Sequence, residues 1–258
     1  MNKHPGLSVV MVAYNEAENI LPVAEETLLK LRLEKFPYEL IFVDDGSTDQ
    51  TLARMRDLLA RYPENVRLFK HEKNGGIGRA VRSGYRAARL DWVTFLPADG
   101  QVSVKETLRL AKKMPGNDLV ISSYRQRQDV DSQFRMVLSK GLRLLTRLAT
   151  GVADHLGSIY VFNRALLNEF PLRSNSFFVN LELPLRIIMA GRPYEHKTIE
   201  VQARRSGKSK VVKWQVISEV AIELGKFRLS LWEEQNQPAI PFLQMPQEWP
   251  VREIFTEG

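Results

Sequence analysis

A chain of 258 residues, 44% of them apolar, has enough apolar side chain to pack one sizeable domain, so disorder is excluded as its default state. It has no cysteine, which excludes disulfides, zinc–thiolate sites and thiol catalysis. The formal net charge of +7 calls for an anionic partner, and without zinc-finger spacing or an RNA-binding aromatic signature that partner is a phosphorylated small molecule or an anionic membrane face rather than nucleic acid.

The first half alternates strands and helices. MNKHPG leads directly into the buried strand LSVVMVA (7–13) with no signal-peptide apolar region, so a cytoplasmic location is expected. A helix follows over 17–30, with Asn15 as its expected cap. YELIFV (38–43) is a second strand, and Asp49 is placed to cap the helix TLARMRDLLARY. VRLFK (66–70) is a short strand, NGGIG opens a helix over 79–90, and DWVTFL (91–96) is the next strand. A helix around 103–114 and the strand DLVIS (118–122) complete this half. Such alternation implies right-handed crossovers and a mostly parallel sheet, whose ligands bind at the carboxyl ends of the strands.

The second half is less regular. FRMVLSKGLRLLTRLAT (134–150) is a long amphipathic helix, GSIYVF (157–162) a strand, 179–190 a helix and PYEHKTIEV (193–201) a strand. RRSGKSKVV (204–212) is a basic loop, and 213–232 is another amphipathic helix. The tail holds Pro238, Pro241, Pro246 and Pro250 and reads as extended or partner-bound chain. One domain is expected over 1–212, with 213–258 an appended helix and tail. No stretch reaches the roughly 18 apolar residues that cross a bilayer.

The polar residues at the strand ends are the informative ones. Asp44 and Asp45 follow the apolar run LIFV. Two adjacent charges are costly unless a cation or hydrogen-bond donors engage them. Ribose hydroxyls and base N–H groups would do so. Asp99 follows a second strand at the same sheet edge and suits a divalent cation that bridges to phosphates. NGGIG alone reads first as a helix-capping turn, and beside the other motifs as a place where backbone meets ligand. His71, His155 and His196 are scattered and define no metal site, and Glu182 in FFVNLELPL reads as a buried structural acid.

YNEAENI, VDDGSTDQT, NGGIGRAVRSGYRAA and ADGQ, in this order over about 7–105, resemble the inverting family 2 glycosyltransferases of GT-A fold. GSIYVFNRALL and RRSGKSK resemble the polyprenyl-phosphate branch, typified by dolichol-phosphate mannose synthase. The resemblance implies a Rossmann-like, mostly parallel sheet flanked by helices, with C-terminal amphipathic helices. It implies a nucleotide-diphosphate sugar, UDP- or GDP-linked, as donor and a polyprenyl phosphate as acceptor. Ala13, Tyr14 and Glu16 would line the nucleoside pocket with Asp44 or Asp45. Gly76, Arg79 and Ala98 would lie by the sugar nucleotide. Asp99, with Gln101 beside it, would hold Mg²⁺ or Mn²⁺. Arg135 and Ser139 would face the acceptor phosphate, and Arg205, Lys208 and Lys210 would close over the phosphates.

The chain departs from this pattern at Pro97, where the family's metal motif has a first acid. Weaker metal binding, a rearranged site and loss of turnover all fit that change, and a saccharide acceptor or a non-catalytic nucleotide-sugar scaffold are the rival readings. Ser123, Tyr124 and Arg125 stand where the family has a Ser-Arg pair, while Asp129 and Asp131 are spare acids nearby. Along the 134–150 helix, Phe134, Val137, Leu138, Leu142, Leu145 and Leu148 oppose Lys140, Arg143 and Arg147. That stripe packs on the domain or lies on an anionic membrane. With the resemblance, it implies a peripheral protein held at the membrane surface or by a membrane partner protein.

Overall fold

The computed structural model describes residues 5–124, 133–153, 156, 159–200, 214–236 and 239–256, with backbone alone at 124, 133–140, 142 and 214–217. Eight strands form one sheet. In chain order they are β1 (Leu7–Ala13), β2 (Tyr38–Asp44), β3 (Val66–His71), β4 (Trp92–Phe95), β5 (Leu119–Tyr124), β6 (Tyr160–Asn163), β7 (Tyr194–Ile199) and β8 (Val251–Ile254). Their spatial order is β7-β5-β6-β4-β1-β2-β3-β8. The pairs β4–β1, β1–β2, β2–β3 and β5–β7 are parallel. β6 runs antiparallel to both β4 and β5, and β8 runs antiparallel to β3.

Successive side chains on a strand point to opposite faces, and here the two faces bury separate cores. Leu7, Val9 and Met11 meet Leu40 and Phe42 under α1 (Ala17–Arg32), α2 (Thr51–Arg61) and α4 (Val104–Ala111). Val10, Ile41 and Val43 face α3 (Ile77–Ala87) and α6 (Val179–Met189) on the other side. A third, smaller core joins Phe178 and Leu185 to Val220, Leu224 and Phe227 of α7 (Trp214–Asn236), which also packs along α5 (Gln133–Thr150). The predicted pairing of the two amphipathic helices is therefore present, but Leu145 and Leu148 of the predicted α5 stripe stay exposed.

Two local expectations are corrected. The helix expected from residue 79 begins at Ile77, because Gly76 adopts φ +87°, which ends the preceding turn and lets the helix start at once. Asn15 does not cap α1. It sits at φ +52°, and its side chain instead accepts a hydrogen bond from the Thr48 backbone N–H at 2.9 Å. Asp49 does the capping at both helices. Its Oδ2 accepts from the Ala17 N–H at 3.2 Å and its Oδ1 from the Thr51 N–H at 2.9 Å. Burial pushes its carboxyl up, but the bonds from Thr51 and Ala17 outweigh this and hold it below its ordinary pKa.

The tail is not left for a partner protein. It returns along the sheet, pairs β8 with β3, and places Phe242 in the core under α3 and α6 with no exposed surface. The Arg86 guanidinium stacks on the Phe242 ring at 4.6 Å and donates to the carbonyls of Phe242 and Met245. If the tail is a true part of this core, Phe242→Ala loses about 3–5 kcal/mol of unfolding free energy in urea titration. A loss below about 1 kcal/mol would show that the tail is only laid on the surface.

Candidate active site

The carboxyl ends of β4, β1, β2 and β3 lie side by side, and each delivers polar residues to the same edge. β1 ends at Ala13, in register with Asp44 at the end of β2. Tyr14 follows and is partly exposed. The Glu16 N–H donates to Thr51 Oγ1 at 2.9 Å, and its carboxylate accepts from the Asn19 side chain at 2.8 Å. Beyond β4, Pro97 and a buried Ala98 lead to Asp99. Asp99 Oδ1 accepts from the Gln101 N–H at 3.0 Å across a turn closed by Gly100 at φ +73°. Its other carboxylate oxygen has no partner among the described residues.

The structure separates the roles of the two adjacent acids. Asp45 is fully engaged by protein. Its Oδ1 lies 2.7 Å from His71 Nδ1 and accepts from the Gly75 N–H at 2.9 Å, while its Oδ2 accepts from the Gly76 N–H at 2.9 Å. It is the clasp that folds the NGGIG turn onto the end of β2. Asp44 is buried with one oxygen, Oδ1, accepting from the Ser47 N–H at 3.3 Å. Its Oδ2 is buried with no hydrogen-bond partner among the described residues. Burial pushes the Asp44 carboxyl above its ordinary pKa, against the downward pull of the Ser47 bonds and the Lys70 charge. An unsatisfied buried oxygen is a vacancy that a ligand donor fills favourably.

The glycine turn is pressed from the other side by residues 173–176. A Cβ on Gly78 would stand 2.2 Å from the Asn175 carbonyl carbon, so no side chain fits there. Arg82, buried in α3, ties this segment down through bonds from Nη1 to the Arg173 carbonyl at 3.3 Å and to Asn175 Oδ1 at 2.8 Å. Burial lowers its pKa, opposed by the charge of Glu248 at 3.7 Å. Glu182 is the structural acid the sequence suggested. Its carboxylate accepts from the Arg173 and Ser174 N–H groups at 2.9 Å and neighbours Arg186 at 3.9 Å. A cavity of about 540 Å³ opens between this segment and α7.

Sequence reasoning missed His71, Ser83, Arg82 and Asn175. His71 was dismissed because histidines were weighed as metal ligands, although its place at the carboxyl end of β3, beside Asp45, was the available signal. Arg135 and Ser139 lie on α5, but their side chains fall outside the described residues. Arg205, Lys208 and Lys210, with Arg125, Asp129 and Asp131, lie wholly outside them.

The description "Glycosyl transferase family 2" matches residues 8–173, which is most of the strand-end machinery. The chain belongs to glycosyl transferase family 2. Among curated members it is 30% identical, over 67% of its own length, to the undecaprenyl-phosphate 4-deoxy-4-formamido-L-arabinose transferase of Pseudomonas fluorescens, of which it spans 51%, about half. It is 26% identical to the dolichol-phosphate mannosyltransferase of Pyrococcus furiosus, over 92% of this chain and 67% of that one. Its fold is GT-A. The glucosyl-3-phosphoglycerate synthase of Mycobacterium tuberculosis, solved with Mn²⁺, UDP and phosphoglyceric acid, superposes with a TM-score of 0.63 at 21% identity, covering 88% of this chain and 78% of that one.

The Asp44 assignment has a sign that can be measured. With its folded-state pKa above the unfolded one, Asp44 stabilises the fold most fully below the ordinary carboxylate pKa, and that contribution is lost as pH rises through the folded value. Asp44→Asn removes the dependence. The melting temperature of the variant relative to the parent therefore rises from about pH 4 to about pH 7. A difference that stays constant over that range would show that Asp44 carries no burial strain.

Proposed function

We propose that the chain is an inverting glycosyltransferase that moves a sugar from a UDP- or GDP-linked donor to a polyprenyl phosphate. The observation that carries this reading is the meeting of Ala13–Glu16, Asp44, the Gly75–Arg79 turn and Asp99 at the ends of adjacent strands. The names of the curated relatives support it, since undecaprenyl-phosphate and dolichol-phosphate transferases are among them.

Each residue then has a task. Tyr14 and Glu16 frame the nucleoside over Ala13, and Asp44 Oδ2 accepts a hydrogen bond from it. Asp45 acts one step back, holding the turn so that Gly76 and Arg79 meet the diphosphate beside Ala98. Asp99 and Gln101 would hold the Mg²⁺ or Mn²⁺. The open Asp99 oxygen fits that use, because Mg²⁺ commonly takes one or two carboxylates and completes its shell with phosphate and water. Among the described residues no three His, Asp or Glu side chains gather, so Pro97 leaves a cation that the substrate must help to hold. Such a cation neutralises charge on the diphosphate.

An acceptor phosphate is anionic near neutral pH and needs no general base. One of its oxygens attacks the anomeric carbon from the face opposite the diphosphate; the new C–O bond forms as the nucleoside diphosphate leaves, which inverts the configuration. Arg135 on α5, with Arg205, Lys208 and Lys210, supplies the positive field that this displacement requires, and Ser139 a hydroxyl donor. The exposure of Leu144 (58%), Leu145 (48%) and Leu148 (74%) on α5, and of Leu229 and Trp232 on α7, supports a peripheral seat on an anionic, cytoplasmic membrane face. No helix among the described residues is long and apolar enough to cross a membrane.

One observation favours a second reading. The 540 Å³ cavity is lined by Glu182, Glu219, Glu223 and Glu233 against Arg173 and Lys226, a balance that repels phosphate and suits a hydroxyl acceptor. Transfer of labelled sugar from UDP-glucose or GDP-mannose, with and without undecaprenyl phosphate, decides between them. Label that enters the organic phase only when the lipid is present is the expected result. Label on a water-soluble saccharide, without need of lipid, would replace the lipid reading with the second.

A further inference from the structure

Trp249, on the returning tail, reaches the clasp of the glycine turn through a continuous chain of hydrogen bonds whose middle links are buried. Its Nε1–H donates to Ser83 Oγ at 2.9 Å. Ser83 Oγ lies 2.8 Å from His71 Nε2, and His71 Nδ1 lies 2.7 Å from Asp45 Oδ1. Asp45 then holds the N–H groups of Gly75 and Gly76. His71, Ser83 and Asp45 are each at least 96% buried, so the two links through His71 are shut off from water.

The chemistry of the groups gives the chain a direction. An indole nitrogen only donates, so Ser83 Oγ accepts from Trp249. The hydroxyl hydrogen of Ser83 then has one acceptor in reach, His71 Nε2. With Nε2 accepting from Ser83, His71 donates through Nδ1 to Asp45, and no member of the chain is left unsatisfied. The same indole covers the guanidinium groups that flank the turn. The Arg82 Cζ lies 4.7 Å from its centroid and the Arg79 Cζ 5.7 Å. The Nε and Nη2 of Arg82, which have no hydrogen-bond acceptor among the described residues, thus have an aromatic face beside them.

We propose that Trp249 is a positioning residue of the donor site: the tail hands its indole N–H to Ser83, and through His71 and Asp45 this sets the Gly75–Gly76 turn for the nucleotide sugar. The inference rests on the donor-site reading above, and goes beyond it by making the 239–256 segment part of the site. Trp249 touches no reacting atom. It acts through three side chains, the first of which, Ser83, lies 166 residues away in sequence.

Trp249→Phe and Ser83→Ala test it in the full chain. Trp249→Phe deletes the indole N–H and keeps a smaller ring near Arg82, while Ser83→Ala cuts the same link and leaves the indole whole, so a purely packing role of the indole moves only the first. With urea unfolding showing both variants folded, the expected result is faster amide hydrogen exchange at Gly75 and Gly76 in each. Binding of UDP or GDP with Mn²⁺ by calorimetry should weaken roughly tenfold in each. The double variant should be no weaker than either single one, because both cut the same chain. Parental exchange at Gly75 and Gly76 in Trp249→Phe, unchanged nucleotide affinity, or additive losses in the double variant would each overturn the proposal. If the parent protein bound neither nucleotide, the donor-site reading would fall, while the Gly75 and Gly76 exchange rates would still decide the relay.

Discussion

The Asp45 carboxylate, with both oxygens spent on the N–H groups of Gly75 and Gly76 and on His71, is the interaction on which the site depends. A parallel sheet only brings strand ends together. It does not say how the loops leaving them are arranged. Asp45 ties the turn after β3 to the end of β2, and Gly46 meets the Lys73–Asn74 backbone so closely that a Cβ would stand 2.6 Å away. The turn so fixed presses on residues 173–176, and these in turn wall the cavity beside α7. Adjacent strand ends, glycine turn and cavity are thus joined through one carboxylate.

This arrangement explains why two acids follow one another at 44 and 45 although their charges repel. One is consumed in building the turn, with three donors to stabilise it. The other keeps a buried oxygen without a partner, a strained state that proteins retain where a ligand relieves it. The same economy holds at Asp49, whose two oxygens start α1 and α2 together. Around the edge of the sheet, Asp45 and Asp49 act as structural parts.

Much of this was legible in the sequence, for a physical reason. Buried parallel strands read as apolar runs, and residues at their carboxyl ends must be polar to meet solvent or ligand. Hence the strands from Leu7 to Tyr124, the two-acid strand end, the glycine turn and the amphipathic helices were visible from residue pattern alone. The tail was not. Pro241, Pro246 and Pro250 mask its regularity, and the pairing of β8 with β3 joins residues 180 to 186 positions apart. Pattern carries no information about a contact of that range. The Trp249–Ser83–His71–Asp45 chain was hidden for the same reason, since its members share no local motif. Whether Asp44 or Asp45 served the turn was equally invisible, because adjacent identical residues differ only in what folds around them.

The central claim is that these strand ends form a nucleotide site that uses a cation despite Pro97. Calorimetric titration of the protein with UDP and with GDP, each with and without Mn²⁺, tests it most directly. The account predicts micromolar binding of one nucleotide, strengthened by Mn²⁺ and insensitive to it in Asp99→Ala. Failure of both nucleotides to bind under either condition would contradict it, and would leave a GT-A sheet whose polar edge serves structure alone.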